Sequence, residues 1–150
     1  MVSLCPSFVF GPPLEETGDQ KKKSKSFSIE LVGQWVRGES PVQSRLFVDV
    51  RDVARAHVAC AAYTGPEDRF LVTHERRIPS QEIAECIQSV SNVPDKVHYD
   101  ADFQGGAIAI GEKEVDAVER LKNELGIELR PVKDTIIDMA RQLQAMESSA

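Results

Sequence analysis

The run RLFVDVRDVARAH, from Arg45 to His57, constrains the fold more than any other part of this 150-residue chain. Its first half is rich in β-branched and aromatic residues, which are typical of a strand. After Asp49 the sequence becomes rich in alanine, with apolar and charged residues at helical spacing. The run therefore predicts a strand that passes directly into a helix, as the strand-helix units of α/β folds do.

Two carboxylates, Asp49 and Asp52, lie at this joint. If Asp49 is the N-cap, Asp52 occupies the third helical position, and both lie near the free N–H groups and the positive end of the helix dipole. Such an arrangement stabilises a helix by about 1 kcal/mol and needs no catalytic role to explain it. The alternative is an active-site acid cluster, which requires a substrate cleft at the joint. The residues alone favour the helix cap.

Strands and helices alternate along the rest of the chain. Apolar runs predict strands at 2–10 and 68–75, and the first is interrupted by Pro6 but apolar enough to be covered on both faces. This alternation predicts an α/β fold with at least partly parallel strand pairing. Amphipathic spacing predicts further helices at 26–38, 79–92, 112–126 and 131–146.

Particular residues are expected on the inner faces and at the ends of these helices. Phe27, Leu31 and Trp35 lie on one side of the helix at helical spacing, with Val32 and Val36 beside them, so we expect this side to face the core. Ser80 is the expected N-cap of the helix at 79–92. A polar loop is expected at 14–25, and the segment at 103–111 fits either a loop or a poorly packed strand.

Net charge, apolar content and cysteine spacing argue against three kinds of partner: nucleic acid, a membrane and a metal ion. The net charge of −6 gives an acidic surface, which repels phosphate backbones and argues against nucleic acid. No apolar run approaches the roughly 20 residues that cross a bilayer. Cys5, Cys60 and Cys86 follow no metal or redox spacing, so we expect buried, reduced thiols. We therefore expect a cytoplasmic protein with no membrane partner and no metal site.

Four sequence blocks occur in the order and approximate spacing of one family: PSFVFGPP, FVDVRDVARAHVAC, RFLVTHERRIPSQEIAECI and LGIELRPVKDTIIDMARQL. They resemble the C-terminal half of the extended short-chain dehydrogenase/reductases of the NAD-dependent epimerase/dehydratase superfamily. The resemblance is greatest to dihydroflavonol, cinnamoyl-CoA and methylglyoxal or other aldehyde/ketone reductases. It implies that residues 1–150 form the C-terminal portion of a Rossmann-type α/β fold, an incomplete parallel sheet with a helical substrate-binding part.

The resemblance also implies which parts of such an enzyme this sequence lacks. In the family, the N-terminal dinucleotide-binding half carries a glycine-rich loop and a Tyr-x-x-x-Lys pair, whose tyrosine delivers a proton to the carbonyl oxygen. This sequence has no GxGxxG, and Glu67 and Phe103 stand four residues after Tyr63 and Tyr99. We therefore expect the substrate-binding half of an NADP(H)-dependent carbonyl reductase, with no catalytic residue of its own and no activity alone.

Cofactor contacts are implied at two places. In the family, the backbone after the first proline of PxxVxGP lies along the nicotinamide, which here implies Pro6, Phe8 and Val9. A serine just before the next helix contacts the cofactor in the closest branch, and it corresponds to Ser28 or, as an alternative, Ser26. A buried strand end and a helix N-cap explain the same residues without a cofactor.

Two other functions remain open: a non-catalytic binding module and a portion of a nucleotide-sugar epimerase or dehydratase. The sequence VFGPP, in place of a Tyr-Gly-Pro form, favours the reductases. The expected partner of the full-length parent is a small-molecule carbonyl substrate. An incomplete sheet leaves an exposed edge, so we also expect self-association.

Overall fold

A computed structural model describes residues 1–13, 26–66, 69–90, 93, 97–100 and 112–148. The predicted loop at 14–25 and the ambiguous segment at 103–111 lie outside these residues. The described residues contain four strands and five helices. The strands are β1 (Ser3–Pro6), β2 (Phe8–Phe10), β3 (Phe47–Asp49) and β4 (Arg69–Val72), and the helices are α1 (Phe27–Val36), α2 (Val50–Ala61), α3 (Ser80–Gln88), α4 (Glu112–Leu125) and α5 (Val132–Ser148).

Both strand pairs are parallel, as the alternation of strands and helices predicted. β1 pairs with β4, and β2 pairs with β3. β1 and β2 belong to one extended segment, and the pairing partner changes at Ser7, directly after Pro6. The backbone N–H of Ser7 donates to the carbonyl oxygen of Val72 at 3.3 Å. The segment at 3–10 therefore links the two pairs.

Apolar residues pack on both sides of the strands. Successive residues of a strand point to opposite faces, and β3 shows the result. Phe47 belongs to a core shared with α1, α3 and α5, whereas Val48 belongs to a second core shared with α2 and α4. In the larger core, the ring of Phe10 lies 6.0 Å from that of Trp35 and 4.9 Å from that of Phe47.

Several residues lie differently from the sequence predictions. Phe27 is 68% exposed, whereas Val32, Trp35 and Val36 of the predicted apolar side are buried. Ser80 is not the N-cap, since α3 begins at Ser80 and Pro79 precedes it. The Ser80 hydroxyl donates instead to the carbonyl oxygen of Asp100 at 3.0 Å.

Exposure also corrects two broader expectations. The first strand segment packs Val9 against the smaller core and Phe10 in the larger one, but it is covered less completely than expected, since Phe10 is the only buried residue of β1 and β2. All three cysteines are free thiols, but only Cys86 is buried, and Cys5 and Cys60 are half-buried. No helix in the described part of the chain combines the length and the apolar character needed to cross a membrane.

Candidate functional site

Asp49 is the N-cap of α2, as predicted. Its Oδ1 accepts hydrogen bonds from the backbone N–H of Arg51 at 2.8 Å and from Arg51 Nε at 2.9 Å. Its Oδ2 accepts from Arg51 Nη2 at 2.7 Å. The Asp49 side chain is fully buried. The protein's own donors occupy both carboxylate oxygens, so the role of Asp49 is to stabilise the start of α2 directly after β3.

Asp52 is also fully buried and makes longer-range contacts than a helix cap requires. Its Oδ2 accepts from the backbone N–H of Arg130 at 2.7 Å. Its Oδ1 accepts from Arg55 Nη2 at 2.8 Å and from Arg130 Nη1 at 2.5 Å. Asp52 therefore fastens α2 to the segment before α5. Both carboxylates have structural roles, which agrees with the interpretation that the residues favoured.

The charge of Asp49 should make the stability of the fold depend on pH. Burial by itself would raise the pKa of Asp49, but the hydrogen bonds from Arg51 outweigh burial and hold the pKa below its ordinary value. A lowered carboxyl pKa contributes stability that is present above the unfolded pKa of about 3.9 and is lost as the pH falls through the folded pKa.

In the Asp49→Asn variant, we expect the free energy of unfolding to fall less steeply below about pH 4 than in the parent chain. Asparagine also caps helices but carries no charge that acid could remove. Urea unfolding between pH 2 and pH 7 measures this, with the exposed Asp116 changed to asparagine as the control. A dependence on pH that is the same in the Asp49 variant as in the parent chain would contradict the expectation.

A surface cleft of about 550 Å³ lies next to the first strand segment. Its lining consists of Ser7, Phe8, Arg45, Leu46 and Arg77. Ser7 follows β1 and Arg77 follows β4, whereas Phe8 is the first residue of β2 and Arg45 and Leu46 directly precede β3. The cleft therefore lies where the strand pairing changes, at the carboxyl ends of β1 and β4 and the amino ends of β2 and β3. A volume of about 550 Å³ lies within the range of small-molecule sites.

Phe8 is the most distinctive residue of the cleft. Its side chain is 43% exposed although it belongs to a strand. Its ring centroid lies 6.2 Å from that of Phe27, and the guanidinium carbon of Arg45 lies 5.5 Å from its ring centroid. The contact with Phe27 places the start of α1 beside the cleft.

The structure brings together some of the residues predicted to contact a cofactor. Phe8 lines the cleft, and Ser28 lies in the first turn of α1, with its hydroxyl 3.3 Å from that of Ser26. Pro6 is exposed at the end of β1 but does not line the cleft, and Val9 packs against the smaller core on the other side. Cofactor contact by Pro6, Phe8, Val9 and Ser28 stays a prediction.

Two cleft residues, Arg45 and Arg77, were not predicted from the sequence. An antiparallel bridge joins Arg45 to Ile78 and so brings Arg77 next to Arg45. Burial, with a contribution from Arg77, lowers the pKa of the Arg45 guanidinium. The only available signal was an arginine directly before an apolar strand, and nothing in the sequence pairs it with a residue 32 positions later.

His74 does not line the cleft. It lies in a separate depression with Glu75, Glu82 and Lys133, and its ring packs against Phe47 at 5.6 Å. Burial lowers the pKa of the His74 imidazole. No group of histidine, cysteine or carboxylate side chains among the described residues is arranged to hold a metal ion.

No protein-family model and no curated protein sequence matches the chain. Solved structures do match. Yeast methylglyoxal/isovaleraldehyde reductase Gre2, solved with NADPH, is 24% identical with a TM-score of 0.66, covering 98% of this chain and 46% of Gre2. Alfalfa vestitone reductase is 20% identical with a TM-score of 0.64, covering 97% of this chain and 44% of that one. The UDP-glucose 4-epimerase of Thermotoga maritima is 17% identical with a TM-score of 0.61, covering 96% of this chain and 46% of that one.

These matches confirm the predicted fold class, an α/β portion of a Rossmann-type short-chain dehydrogenase/reductase fold. The resemblance to extended reductases and epimerases is confirmed at the level of the fold. The chain spans less than half the length of the structures that it matches.

Proposed function

We propose that this chain is the C-terminal, substrate-binding portion of an NADP(H)-dependent carbonyl reductase that acts on aldehydes or ketones. The observation that carries the proposal is the cleft lined by Phe8, which belongs to the strand segment that the resemblance implies lies along the nicotinamide. The fold it shares with NADPH-dependent reductases such as Gre2 supports the same function.

The residues of the cleft fit a nicotinamide ring and a small carbonyl compound. Phe8 offers an exposed aromatic face, and such faces pack well against flat rings. The buried Ser7 hydroxyl has no hydrogen-bond partner among the described residues, so it is available to a polar group of a ligand. When bound, the cofactor supplies the hydride that reduces the carbonyl carbon.

In this proposal, residues of the chain orient the ligands and keep water out. Phe8 and Phe27 form an aromatic wall on one side of the cleft. The hydroxyls of Ser26 and Ser28 stand at the start of α1, beside that wall. The proton donor and the pyrophosphate-binding loop are supplied by a dinucleotide-binding portion, because the sequence has no GxGxxG and no Tyr-x-x-x-Lys.

A chimera tests the proposal. The dinucleotide-binding portion of yeast Gre2 is joined in front of residues 1–150, and oxidation of NADPH is followed with methylglyoxal, isovaleraldehyde and a panel of ketones. We expect turnover by the chimera and none by either portion alone. Turnover by the 150-residue chain alone would contradict the proposal that a dinucleotide-binding portion supplies the proton donor and the pyrophosphate-binding loop.

A pair of variants in the chimera tests the role of the cleft. We expect Phe8→Ala to lower kcat/KM by about tenfold, which corresponds to about 1.4 kcal/mol of transition-state binding. Tyr99→Ala is the matched control, because Tyr99 is an aromatic residue that is 39% exposed and does not line the cleft. Equal losses in the two variants would show that the cleft is not the site.

If the chimera does not fold, titration of the isotope-labelled 150-residue chain with NADPH still tests the site. We expect amide shifts at Phe8, Val9 and Ser28 to change most. Changes spread evenly over the chain, or none at the highest concentration, would count against cofactor contact here.

A further inference from the structure

The imidazole of His74 packs against the larger core, yet one of its nitrogens has no hydrogen-bond partner within the described part of the chain. Its ring lies edge-on to the ring of Phe47, with 5.6 Å between the ring centroids. The backbone N–H of His74 also donates to the carbonyl oxygen of Phe47 at 3.3 Å. The nitrogen without a partner is Nε2, which is buried. A neutral ring fits these surroundings better than a charged one, because a charged imidazole donates from both nitrogens and Nε2 would lack an acceptor.

Five charged side chains line the depression beside His74 or act on its imidazole through their charge: Glu75, Arg76, Glu82 of α3, Lys133 of α5 and Asp52 of α2. Asp52 already accepts hydrogen bonds from two arginines. Glu82 accepts from Nη2 of Arg76 at 2.9 Å and pairs with Nη1 at 2.9 Å. Glu75 is exposed and has no hydrogen bond or ion pair among the described residues. Of the three carboxylates, Glu75 is therefore the one that can accept from a charged imidazole.

The depression leaves room for the ring to move. Its volume is about 380 Å³, and it is bordered by residues of the segment 74–78, by α3 and by the first turn of α5. A water molecule takes up about 30 Å³ in the liquid, so the depression accommodates several waters together with a rotated imidazole. A second staggered position of the His74 side chain is therefore compatible with the fold.

The segment 74–78 borders both the depression and the cleft. Arg77 lines the cleft, whereas the residues on either side of it line the depression. At one end of the segment, the backbones of Arg45 and Ile78 exchange two hydrogen bonds, at 3.1 and 2.8 Å. The other end is held by the contacts of His74 with β3. A change at His74 therefore acts on a segment that also forms part of the cleft wall.

We propose that His74 is a pH-sensitive switch: the neutral imidazole holds the segment 74–78 against β3, and the protonated imidazole rotates into the depression toward Glu75 and releases the segment. The neutral, closed state keeps the contact with Phe47. The protonated, released state gives up that contact, and the charged ring gains water and the carboxylate of Glu75 as partners. The inference goes beyond the proposed function and does not depend on it, because it concerns the chain without any ligand.

The direction of the pH dependence follows from the surroundings of the ring. Burial, and after it the charge of Arg76, lower the pKa of the His74 imidazole, and the three carboxylates do not offset this. The pKa in the closed state is therefore below the ordinary value of about 6.5, which the released ring regains. Protonation consequently favours release. The stability of the closed state is fully present above about pH 6.5 and is lost as the pH falls from there to the closed-state pKa.

Amide hydrogen exchange of the labelled 150-residue chain, followed between pH 5 and pH 7.5, tests this inference. The amides of His74 and Ile78 report on the segment, because each donates a hydrogen bond across it. After correction for intrinsic exchange rates, we expect their protection factors to fall by up to about tenfold per pH unit below about pH 6.5. His74→Phe keeps an aromatic ring but has no titrating nitrogen, so its protection factors should stay constant. His98→Gln removes an exposed histidine and is the matched control, which should behave as the parent chain does.

Two further measurements complete the test. The chemical shift of the Cε1 proton gives the pKa of His74 in the same samples, and we expect a value below about 6.5. Glu75→Gln removes the carboxylate that receives the charged ring, so protection should be lost at a lower pH than in the parent chain. If His74→Phe does not fold, His74→Gln replaces it with the same expectation.

Two results would overturn the switch: a pKa of His74 at or above about 6.5, or an equal loss of protection in the parent chain and in His74→Phe. Loss of protection at the same pH in Glu75→Gln and in the parent chain would overturn the movement toward Glu75.

Discussion

Replacing Asp52 with alanine should lower the free energy of unfolding by about 3 kcal/mol. Asp52 is fully buried and accepts hydrogen bonds from Arg55, from the Arg130 side chain and from the Arg130 backbone. Without the carboxylate, the backbone N–H of Arg130 loses its acceptor and two guanidiniums lose their counter-charge. Urea unfolding, followed by circular dichroism, gives the change in free energy.

Asp138→Asn is the matched control for this variant. Asp138 pairs with Arg51 at 2.8 Å, but its side chain is 40% exposed. Solvent screens such a pair, so we expect a loss of less than about 1 kcal/mol. Equal losses in the two variants would contradict the assigned role of Asp52 in holding α2 against the segment before α5.

Replacing Phe10 with alanine should lower the free energy of unfolding by about 4 kcal/mol. Phe10 is 1% exposed and lies between Trp35 of α1 and Phe47 of β3. Truncation leaves a cavity where a strand, a helix and a neighbouring strand meet. Because β2 and β3 are hydrogen-bonded to each other, the cavity should collapse only in part.

Phe27→Ala is the control for Phe10, since both changes remove the same ring. Phe27 is 68% exposed, so its loss should cost less than about 0.5 kcal/mol. Unfolding in urea, with the slope of the transition compared between variants, measures both. A Phe10 variant as stable as the Phe27 variant would contradict the role of Phe10 in the larger core.

Local signals explain why the order of the elements could be predicted. The apolar run before Asp49 and the alanine-rich run after it each fix a type of secondary structure within a few residues. The cap formed by Asp49 is equally local, because its partner Arg51 is only two positions away. Parallel pairing followed from the alternation of strands and helices.

Contacts between distant parts of the chain explain the failures. Asp52 was expected to serve only the start of α2, yet its partner Arg130 is 78 positions away. Phe27 fitted an apolar stripe, but the ring lies at the first residue of α1, where the helix extends past the core and reaches the cleft. Helical spacing predicts which residues share a face and does not say where along a helix the core ends.

At the candidate site, too, one residue could be predicted from the sequence and two could not. Phe8 was predicted through the resemblance carried by PSFVFGPP, and the structure places it in the cleft. Arg45 and Arg77 were missed because only the bridge between Arg45 and Ile78 brings them together. A pair formed by tertiary structure leaves no spacing pattern for a sequence to reveal.

The most direct test of the proposed function is the rate of NADPH oxidation by the chimera of the Gre2 dinucleotide-binding portion and residues 1–150. We expect carbonyl-dependent oxidation by the chimera, none by the 150-residue chain alone, and a rate that falls with Phe8→Ala but not with Tyr99→Ala. A folded chimera that binds NADPH and reduces no aldehyde or ketone would contradict it.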